Sequence, residues 1–369
     1  MAFDFSKLAS LFKTNGSSSG ETTVVGVDIG STAIKVVQLR MNKHITTLDT
    51  YGELQLGPYE GIGVGRTTHL QSDALSEAFI DILRESSATA RSVAMAVSYN
   101  ASFTTVITLP TLDPDKIAAM ISVEARKYVP VSLSDVTLDW FPVPTHNTKI
   151  EVAQTGTRLI LAAIHNDAIK VHESLTRGAS RTVVCTELEL FSTIRTSIGK
   201  GASDTIAIID FGGGSSKLYI VHKGMIEKTH STVMSGSSIT LELSKGLGIT
   251  FEQAEERKRN DGLLAPTPDA NVKKIYASVL DRGFKEIHMV MKQYESESGS
   301  HIEKVVLSGG GALLRGLSVY VQDILTCPTT IVDPFSNVAY PAFLKDTLTE
   351  CGPSFTVALG IALRGLRAE

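Results

Sequence analysis

The sequence has 369 residues, a length at which two or three domains are usual. Hydrophobic residues make up 43% of the chain and charged residues 20%, which excludes a disordered chain and predicts a sizeable core. The 35 basic and 39 acidic side chains leave a net charge of −4, which excludes a general nucleic-acid binder with a clustered basic surplus.

The chain also lacks the usual sequence signals for crossing a membrane. No apolar run approaches the ~18–20 residues that span a bilayer, and the start MAFDFSKLASLFKTNG has neither a basic region nor an apolar core of a secretory signal. Three scattered cysteines without CxxC spacing are typical of a reducing cytoplasm and offer no metal cage. We therefore expect a cytoplasmic protein without a transmembrane segment.

The first part of the chain predicts a terminal segment and a linker. The apolar residues of this segment recur at near-helical spacing: Phe3, Phe5, Leu8, Leu11 and Phe12. This pattern fits a segment that docks on a partner or on the protein's own surface, and equally a frayed terminus. The small polar residues 14–22 predict a flexible linker.

Alternating strand and helix patterns follow the linker. Apolar periodicity predicts helices over 72–86, 114–128 and about 269–297. Thr250 with Gln253 has the spacing of a capping box that opens a further helix, FEQAEERKR. The stretches VTLDWFPVP and LILAAI predict strands, separated by the polar loop THNTKIEVAQTGT. This alternation is typical of α/β layers with partly parallel sheets.

An internal repeat carries the main functional signal. Residues 24–39 read VVGVDIGSTAIKVVQL and residues 206–221 read IAIIDFGGGSSKLYIV. Both are an apolar strand ending in aspartate, a glycine-rich turn and a second apolar strand, with a lysine seven residues after the aspartate. The offset of 182 residues, about half the chain, predicts two similar lobes that face each other.

These hairpins have the chemistry of phosphate binding. Their glycines allow positive φ and let backbone N–H groups approach an anion closely, while serine and threonine hydroxyls add donors. Asp28 and Asp210 would hold Mg²⁺ through its waters, because Mg²⁺ dehydrates reluctantly, and Lys35 would neutralise a phosphate. A single Asp-x-Gly turn is usually an ordinary hairpin, but here the turn occurs twice. A third glycine turn, VVLSGGGALLRGL at 305–317, follows a strand and leads into a helix.

In this order, DIGSTAIK, DFGGGSSK and SGGGALLRG resemble the phosphate-1, phosphate-2 and adenosine motifs of the actin/heat-shock-70/sugar-kinase superfamily. The closer resemblance is to the PilM family, actin-like cytoplasmic proteins of type IV pilus assembly that are related to FtsA. Further supporting segments are EARKYVP, TELELF, SITLELSKGLGITFEQAEERK and SFTVALGIALRGL, so that the resemblance spans residues 24–366.

The resemblance implies an α/β actin-like ATPase fold of two lobes, each with a mixed sheet flanked by helices. The expected divisions are an N-terminal segment and linker (1–21), a first lobe (22–203) with an FtsA-type inserted subdomain at about 90–170, and a second lobe (204–369) with a smaller subdomain at about 240–303.

The resemblance also implies binding of ATP or ADP with Mg²⁺, the metal being held by Asp28 and Asp210. The residues implied at the phosphates are Asp28, Gly30, Ser31, Thr32, Lys35, Asp210, Gly212, Gly213, Gly214 and Ser215. Those implied at the adenosine are Glu255, Lys258, Gly309, Gly310, Gly311 and Leu313. Glu189, or alternatively Glu187, falls near an attacking water, and ATP hydrolysis is expected to be slow or absent.

Three features of these motifs leave questions open. Glu255 and Lys258 could instead form a solvated i, i+3 charge pair, and Glu189 could be an exposed helix carboxylate. Where the family usually has a double glycine before the ITLELSK helix, this chain has Ser235-Gly236-Ser237-Ser238, which puts the fit of that loop in question.

The resemblance implies a scaffold at the inner face of the inner membrane that supports pilus assembly and twitching motility. It would bind the N-terminal cytoplasmic tail of a PilN-type membrane protein and so join the PilN–PilO–PilP inner-membrane complex, with self-association also open. The alternatives are an FtsA-like filament-forming tether, disfavoured because no amphipathic membrane helix follows the last domain helix, and a small-molecule kinase, for which we find no substrate signature.

Overall fold

The computed structural model describes residues 21–110, 113–142, 157–199, 203–264 and 270–368. Within these ranges, thirteen strands form three sheets, and helices pack against them. The strands are β1 (Thr22–Ile29), β2 (Ala33–Asn42), β3 (Ile45–Gln55), β4 (Ser92–Val97), β5 (Ser102–Leu109), β6 (Val136–Pro142), β7 (Thr157–His165), β8 (Thr182–Leu188), β9 (Thr205–Phe211), β10 (Ser216–His222), β11 (Met225–Thr232), β12 (Lys304–Ser308) and β13 (Thr329–Ile331). The helices are α1 (Ser72–Glu85), α2 (Pro114–Ala125), α3 (Asn166–Gly178), α4 (Glu189–Ser197), α5 (Gly236–Leu247), α6 (Phe251–Asp261), α7 (Ala270–Ser298), α8 (Leu317–Leu325), α9 (Lys345–Cys351) and α10 (Thr356–Gly365).

Two of the sheets repeat one topology. The first lobe has the strand order β3-β2-β1-β4-β8 and the second lobe has β11-β10-β9-β12-β13. In each lobe, three consecutive strands form an antiparallel meander, and the first of them pairs in parallel with a later strand. The two similar lobes with mixed sheets, predicted from the internal repeat, are confirmed.

The third sheet, in the order β5-β7-β6, is antiparallel and is inserted between β4 and α3. Side chains alternate along β7, so that Leu161 packs with α2, whereas Ile160 joins a core cluster of second-lobe strands. Arg158 of β7 also forms an ion pair with Glu227 of β11 at 2.9 Å. The inserted sheet therefore contacts the second lobe on one face and carries α2 on the other.

The bounds of this insertion differ from the expected 90–170. Strand β4 pairs with β1 and β8 in the first five-stranded sheet, so it belongs to the body of the lobe. We therefore assign the inserted sheet and its helix to residues 102–165.

Helix α10 packs tightly against the sheet and α4 of the first lobe. A Cβ atom on Gly26 of β1 would lie 2.1 Å from the carbonyl oxygen of Ala358 in α10, and one on Gly360 would lie 2.2 Å from that of Ser192 in α4. Both glycines are thus needed for close approach. This packing fixes α4, which begins at Glu189, beside the strands that carry the two aspartates.

The predicted elements agree with the observed ones. The helices expected at 72–86, 114–128 and about 269–297 are α1, α2 and α7, although α2 ends at Ala125. The capping box is confirmed, since Thr250 and Gln253 each accept a hydrogen bond from the other's backbone N–H. The predicted N-terminal segment and most of the polar loop at 145–157 lie outside the described residues.

Candidate functional site

The two repeated hairpins have the same local geometry. Asp28 lies opposite Lys35 across β1 and β2, and Asp210 lies opposite Lys217 across β9 and β10. Each turn is closed by one backbone hydrogen bond, of 3.0 Å from Gly30 N–H to the Ala33 carbonyl and of 3.1 Å from Gly212 N–H to the Ser215 carbonyl. The structure therefore brings both predicted phosphate turns to the same edge of their sheets.

The two turns contact each other between the lobes. A Cβ atom on Gly213 would lie 2.5 Å from Thr32 Oγ1, and one on Gly214 would lie 2.5 Å from Ser31 Oγ. None of Gly30, Gly212, Gly213 and Gly214 uses the positive φ that glycine allows. In the second turn, glycine is required because a side chain would collide with the opposite turn.

A buried charge cluster lies beneath these turns. Lys217 Nζ lies 3.1 Å from Glu189 Oε1 and 3.6 Å from Asp210 Oδ2, and all three side chains are almost fully buried. Glu189 Oε1 also accepts a hydrogen bond of 2.8 Å from the backbone N–H of Tyr99. Burial opposes the charge on Lys217, but the Glu189 and Asp210 carboxylates outweigh it and raise the pKa of Lys217. Glu189 is thus a buried cluster member, not an exposed helix carboxylate.

Glu187, the alternative to Glu189, is held inside the first lobe by hydrogen bonds. It lies at 1% exposure on β8 and accepts hydrogen bonds of 2.6 and 2.8 Å from the Arg195 guanidinium and of 3.0 Å from Ser192. Because its carboxylate is held inside the first lobe by these partners, we assign Glu187 to packing and keep Glu189 at the site.

Asp28 has an environment that disfavours its charge. Burial raises the pKa of Asp28 to about 6, and the negative charges of Glu189 and Asp210 add to this effect, whereas Lys35 and Lys217 oppose it. A carboxylate surplus of this kind attracts a cation. Lys35 lies opposite Asp28 in the pairing of β1 with β2, where its positive charge partly opposes the rise in the pKa of Asp28.

The carboxylates fit Mg²⁺ only with help from other ligands. Within the described ranges, no group of three or more His, Cys, Asp or Glu side chains has metal-binding geometry. Two carboxylates next to glycine turns match the usual protein share of a magnesium site, where water and phosphate supply the remaining oxygens. Asp28 and Asp210 therefore fit a metal bound together with a phosphate, and do not form a stand-alone metal cage.

A second network lies on α5 and α6. Glu255, 5% exposed, accepts hydrogen bonds from Thr240 at 2.5 Å, Lys258 at 2.6 Å and Arg259 at 2.7 Å. Burial opposes its charge, but these partners, Lys258 foremost, lower the pKa of Glu255. Lys258 also donates to the Gly236 carbonyl at 3.1 Å, and burial lowers its pKa. The solvated charge pair considered above is therefore wrong.

The unusual Ser-Gly-Ser-Ser loop has a local explanation. Ser235 caps α5 through a reciprocal capping box with Ser238. The backbone N–H groups of Gly236 and Ser237 then donate to the carbonyl oxygens of Gly212 and Gly213 at 3.0 and 2.9 Å. The loop thereby connects α5 directly to the second phosphate turn.

The third glycine turn approaches the second aspartate. Gly309 has a φ of 81°, and a Cβ atom there would lie 2.5 Å from Asp210 Oδ1. Gly311 packs against the Phe211 ring in the same way, whereas Gly310 and Leu313 are exposed. Gly310, Gly311 and Leu313 lie in one turn of 3-10 helix, Gly310–Leu313, which precedes α8.

Several contacts of the site were missed by sequence reasoning. No role was assigned to Lys217 from the sequence, although Lys217 occupies the position in the second hairpin that Lys35 occupies in the first. A loop of the first lobe, residues 61–68, also contacts α6. The only sequence feature that could have drawn attention to this loop is its three glycines, at positions 61, 63 and 65. In the described part of the chain, none of the helices has the length and apolar composition needed to cross a bilayer.

Comparisons with known proteins agree with this geometry. A family model described as type IV pilus assembly protein PilM matches residues 26–366. A solved structure titled PilM-PilN type IV pilus biogenesis complex is 24% identical, with a TM-score of 0.78, and the match covers 93% of this chain and 98% of that one. The structure of MreB5 of Spiroplasma citri bound to ADP is 13% identical, with a TM-score of 0.52, over 92% of this chain and 95% of that one.

Curated relatives match over a shorter region. The cell division protein FtsA of Rhizobium meliloti is 24% identical over 183 residues, which cover 42% of this chain and 39% of the relative. The match thus spans about two fifths of that relative's length. Together, the solved structures support the actin-like fold that the three glycine motifs implied.

Proposed function

Because this chain belongs to the family of type IV pilus assembly protein PilM, we propose that it is a nucleotide-binding scaffold of a pilus assembly machine. The match over residues 26–366 is the observation that carries the proposal, since it includes all three glycine turns and the inserted subdomain. The scaffold is cytoplasmic and reaches the inner membrane through a PilN-type membrane protein and its inner-membrane complex.

The proposed ligand is ATP or ADP with Mg²⁺. Asp28 and Asp210 would hold the metal through its waters, and the two turns, with Ser31, Thr32 and Lys35, would hold the phosphates. The residues proposed at the adenosine are Glu255, Lys258, Gly309, Gly310, Gly311 and Leu313. Mg²⁺ supplies charge neutralisation between carboxylates and phosphates. Because the turns contact each other, a phosphate between them requires the lobes to separate.

The environment of Glu189 supports slow hydrolysis or none. Glu189 Oε1 is engaged by the Lys217 ammonium group at 3.1 Å and by the Tyr99 backbone N–H at 2.8 Å. Glu189 would therefore act on an attacking water through its other carboxylate oxygen, and would orient that water. This combination suits a protein that uses nucleotide to set the positions of its lobes.

The inserted subdomain offers a docking surface for a peptide tail. The subdomain exposes three large apolar side chains in and just after α2, Val123 at 65%, Tyr128 at 40% and Val131 at 38%. The similar solved structure contains PilN by its title. We assign the tail-docking surface to Val123, Tyr128 and Val131, where a short segment can bury apolar side chains.

We expect Val123→Glu to weaken capture of a synthetic PilN-type N-terminal tail by about tenfold or more, because it places a charge in an apolar contact. The measurement is a fluorescence-anisotropy titration of the labelled tail.

The matched control is Val319→Glu on α8, since Val319 is 64% exposed and lies on the second lobe. Equal tail affinity in both variants, or crosslinking of the tail to the second lobe, would contradict this assignment.

The FtsA-like alternative has weaker support, from a sequence similarity that covers 39% of the FtsA relative. It predicts filaments with nucleotide at micromolar protein concentrations, which sedimentation and negative-stain microscopy would detect. The scaffold account predicts tail capture by a species that does not sediment.

A further inference from the structure

A loop of the first lobe crosses to the second lobe beside the phosphate turns. Residues 61–68, here called the strap, follow β3 and precede α1, so they belong to the first lobe by sequence. Two of their glycines, Gly61 and Gly65, have φ of 70° and 85°, a left-handed backbone that favours glycine.

The strap is attached at one end to the first phosphate turn. The backbone N–H and the hydroxyl of Thr68 both donate to the Ser31 carbonyl, at 2.9 and 3.1 Å. Thr67 reaches the second turn, since a Cβ atom on Gly214 would lie 3.1 Å from its Cγ2. The strap thus lies against both turns that we assign to the phosphates.

Its other contact is with α6 of the second lobe. Arg66 Nε lies 3.7 Å from Glu252 Oε1, and the Arg66 guanidinium lies 4.1 Å from the centre of the Phe251 ring. A Cβ atom on Gly63 would lie 2.3 Å from Glu252 Oε1, and one on Gly65 would lie 2.6 Å from Glu255 Cδ. The strap therefore lies against Glu255, a residue that we assign to the adenosine site.

We propose that the strap is a gate on the nucleotide cleft, with Arg66 as its releasable fastening to the second lobe. This inference rests on the proposed nucleotide binding. An exposed ion pair and a cation–π contact are weak fastenings, and Arg66 and Glu252 are 40% and 57% exposed. The fastening can therefore open without unfolding either lobe, and its opening limits both entry and exit of the ligand.

Arg66→Ala should increase the association and release rate constants for fluorescently labelled ADP with Mg²⁺ by about fivefold each, the factor for losing ~1 kcal/mol of closed-state stabilisation. The dissociation constant should change by less than about twofold, because a gate alters both rates together. Stopped-flow fluorescence measures both rates.

The matched control is Arg84→Ala, which removes another exposed arginine of the first lobe that is ion-paired with Asp81 and Glu85. It should leave both rate constants unchanged. A selective increase in the release rate with weaker affinity for Arg66→Ala would mean that Arg66 touches the ligand, and would overturn the gate.

A cysteine pair tests the same gate in the opposite direction. Gly63→Cys with Glu252→Cys places the new side chains within reach, since a Cβ atom on Gly63 would lie 3.2 Å from Glu252 Cγ. Cys351→Ser removes the partly exposed native thiol, while Cys185 and Cys327 are buried. Compared with the reduced double-cysteine protein, the oxidised form should bind and release the nucleotide at least about tenfold more slowly, and reduction should reverse this effect.

The outcomes of the cysteine experiment separate a failure of the gate from a failure of the nucleotide site. Failure of the pair to oxidise, or unchanged rates in the oxidised protein, would overturn the gate. Absence of binding in the unsubstituted protein would instead contradict the proposed nucleotide site, and the gate would fall with it.

Discussion

The Asp28→Asn variant is expected to be more stable than the unsubstituted protein by about 2–3 kcal/mol at pH 7.5 and to lose Mg²⁺-dependent nucleotide binding. The gain has a direct physical cause, because burial raises the pKa of Asp28 from 3.8 to about 6. Keeping Asp28 charged therefore lowers the free energy of unfolding, and asparagine avoids this loss because it carries no charge. The loss of binding follows because an amide cannot supply the negative charge that holds Mg²⁺.

The pH dependence of this stability gain has a defined sign. Because the pKa of Asp28 is higher in the folded than in the unfolded protein, ionisation begins to favour the unfolded protein as the pH rises past 3.8, and the full cost is reached above about pH 6, where Asp28 is ionised in both states. The gain in unfolding free energy of Asp28→Asn should be near zero below about pH 3, should grow between about pH 4 and 6 and should stay constant above it. Urea unfolding of both proteins across this range measures it.

The control is Asp135→Asn, which changes an exposed aspartate of the inserted subdomain. It should change stability by less than about 0.5 kcal/mol at any of these pH values. A destabilised Asp28→Asn protein would show that the Asp28 carboxylate is stabilised in the fold, and would contradict the strained-charge interpretation.

Lys217→Met is expected to lower the free energy of unfolding by about 3–5 kcal/mol at pH 7.5, the typical result of removing one partner of a buried ion pair. Lys217 is the cation that contacts both Glu189 and Asp210, and both carboxylates are 5% exposed. When Lys217 is removed, these two carboxylates and that of Asp28 repel one another at close range. The loss should shrink at about pH 5, where protonation of Asp28 relieves part of the repulsion.

Lys228→Met on the neighbouring strand β11 is the matched control for Lys217→Met. Lys228 is 27% exposed and pairs with Glu297 at 3.4 Å, so its removal should cost less than about 0.5–1 kcal/mol. Similar losses in the two variants, or a Lys217→Met loss that does not depend on pH, would contradict the role assigned to the buried cluster.

The parts of the site that depend on local patterns could be predicted from the sequence. Asp28 and Asp210 end apolar strands and precede glycine turns, so their hairpins follow from strand and turn propensities within about ten residues. The repeat at a separation of 182 residues then predicted two lobes. The capping box at Thr250 is local in the same sense.

The parts that depend on packing between distant segments could not be predicted. Lys217 meets Glu189 only because α4 packs beside the second-lobe sheet, and no local pattern reports this contact. The strap contact of Arg66 with Phe251 joins segments that are far apart in the sequence. The burial of Glu255 depends on Thr240 of another helix, which is why its spacing alone suggested a solvated pair.

The central claim is that Mg²⁺ and an adenine nucleotide bind between the two aspartate turns. Isothermal titration calorimetry with ATP and ADP, each with and without Mg²⁺, tests it on protein shown to be folded and free of nucleotide. The predicted result is saturable binding of one nucleotide per chain that is strengthened by Mg²⁺ and weakened by Asp210→Ala. Absence of saturable heat with folded protein, or equal binding by the Asp210→Ala variant, would contradict it.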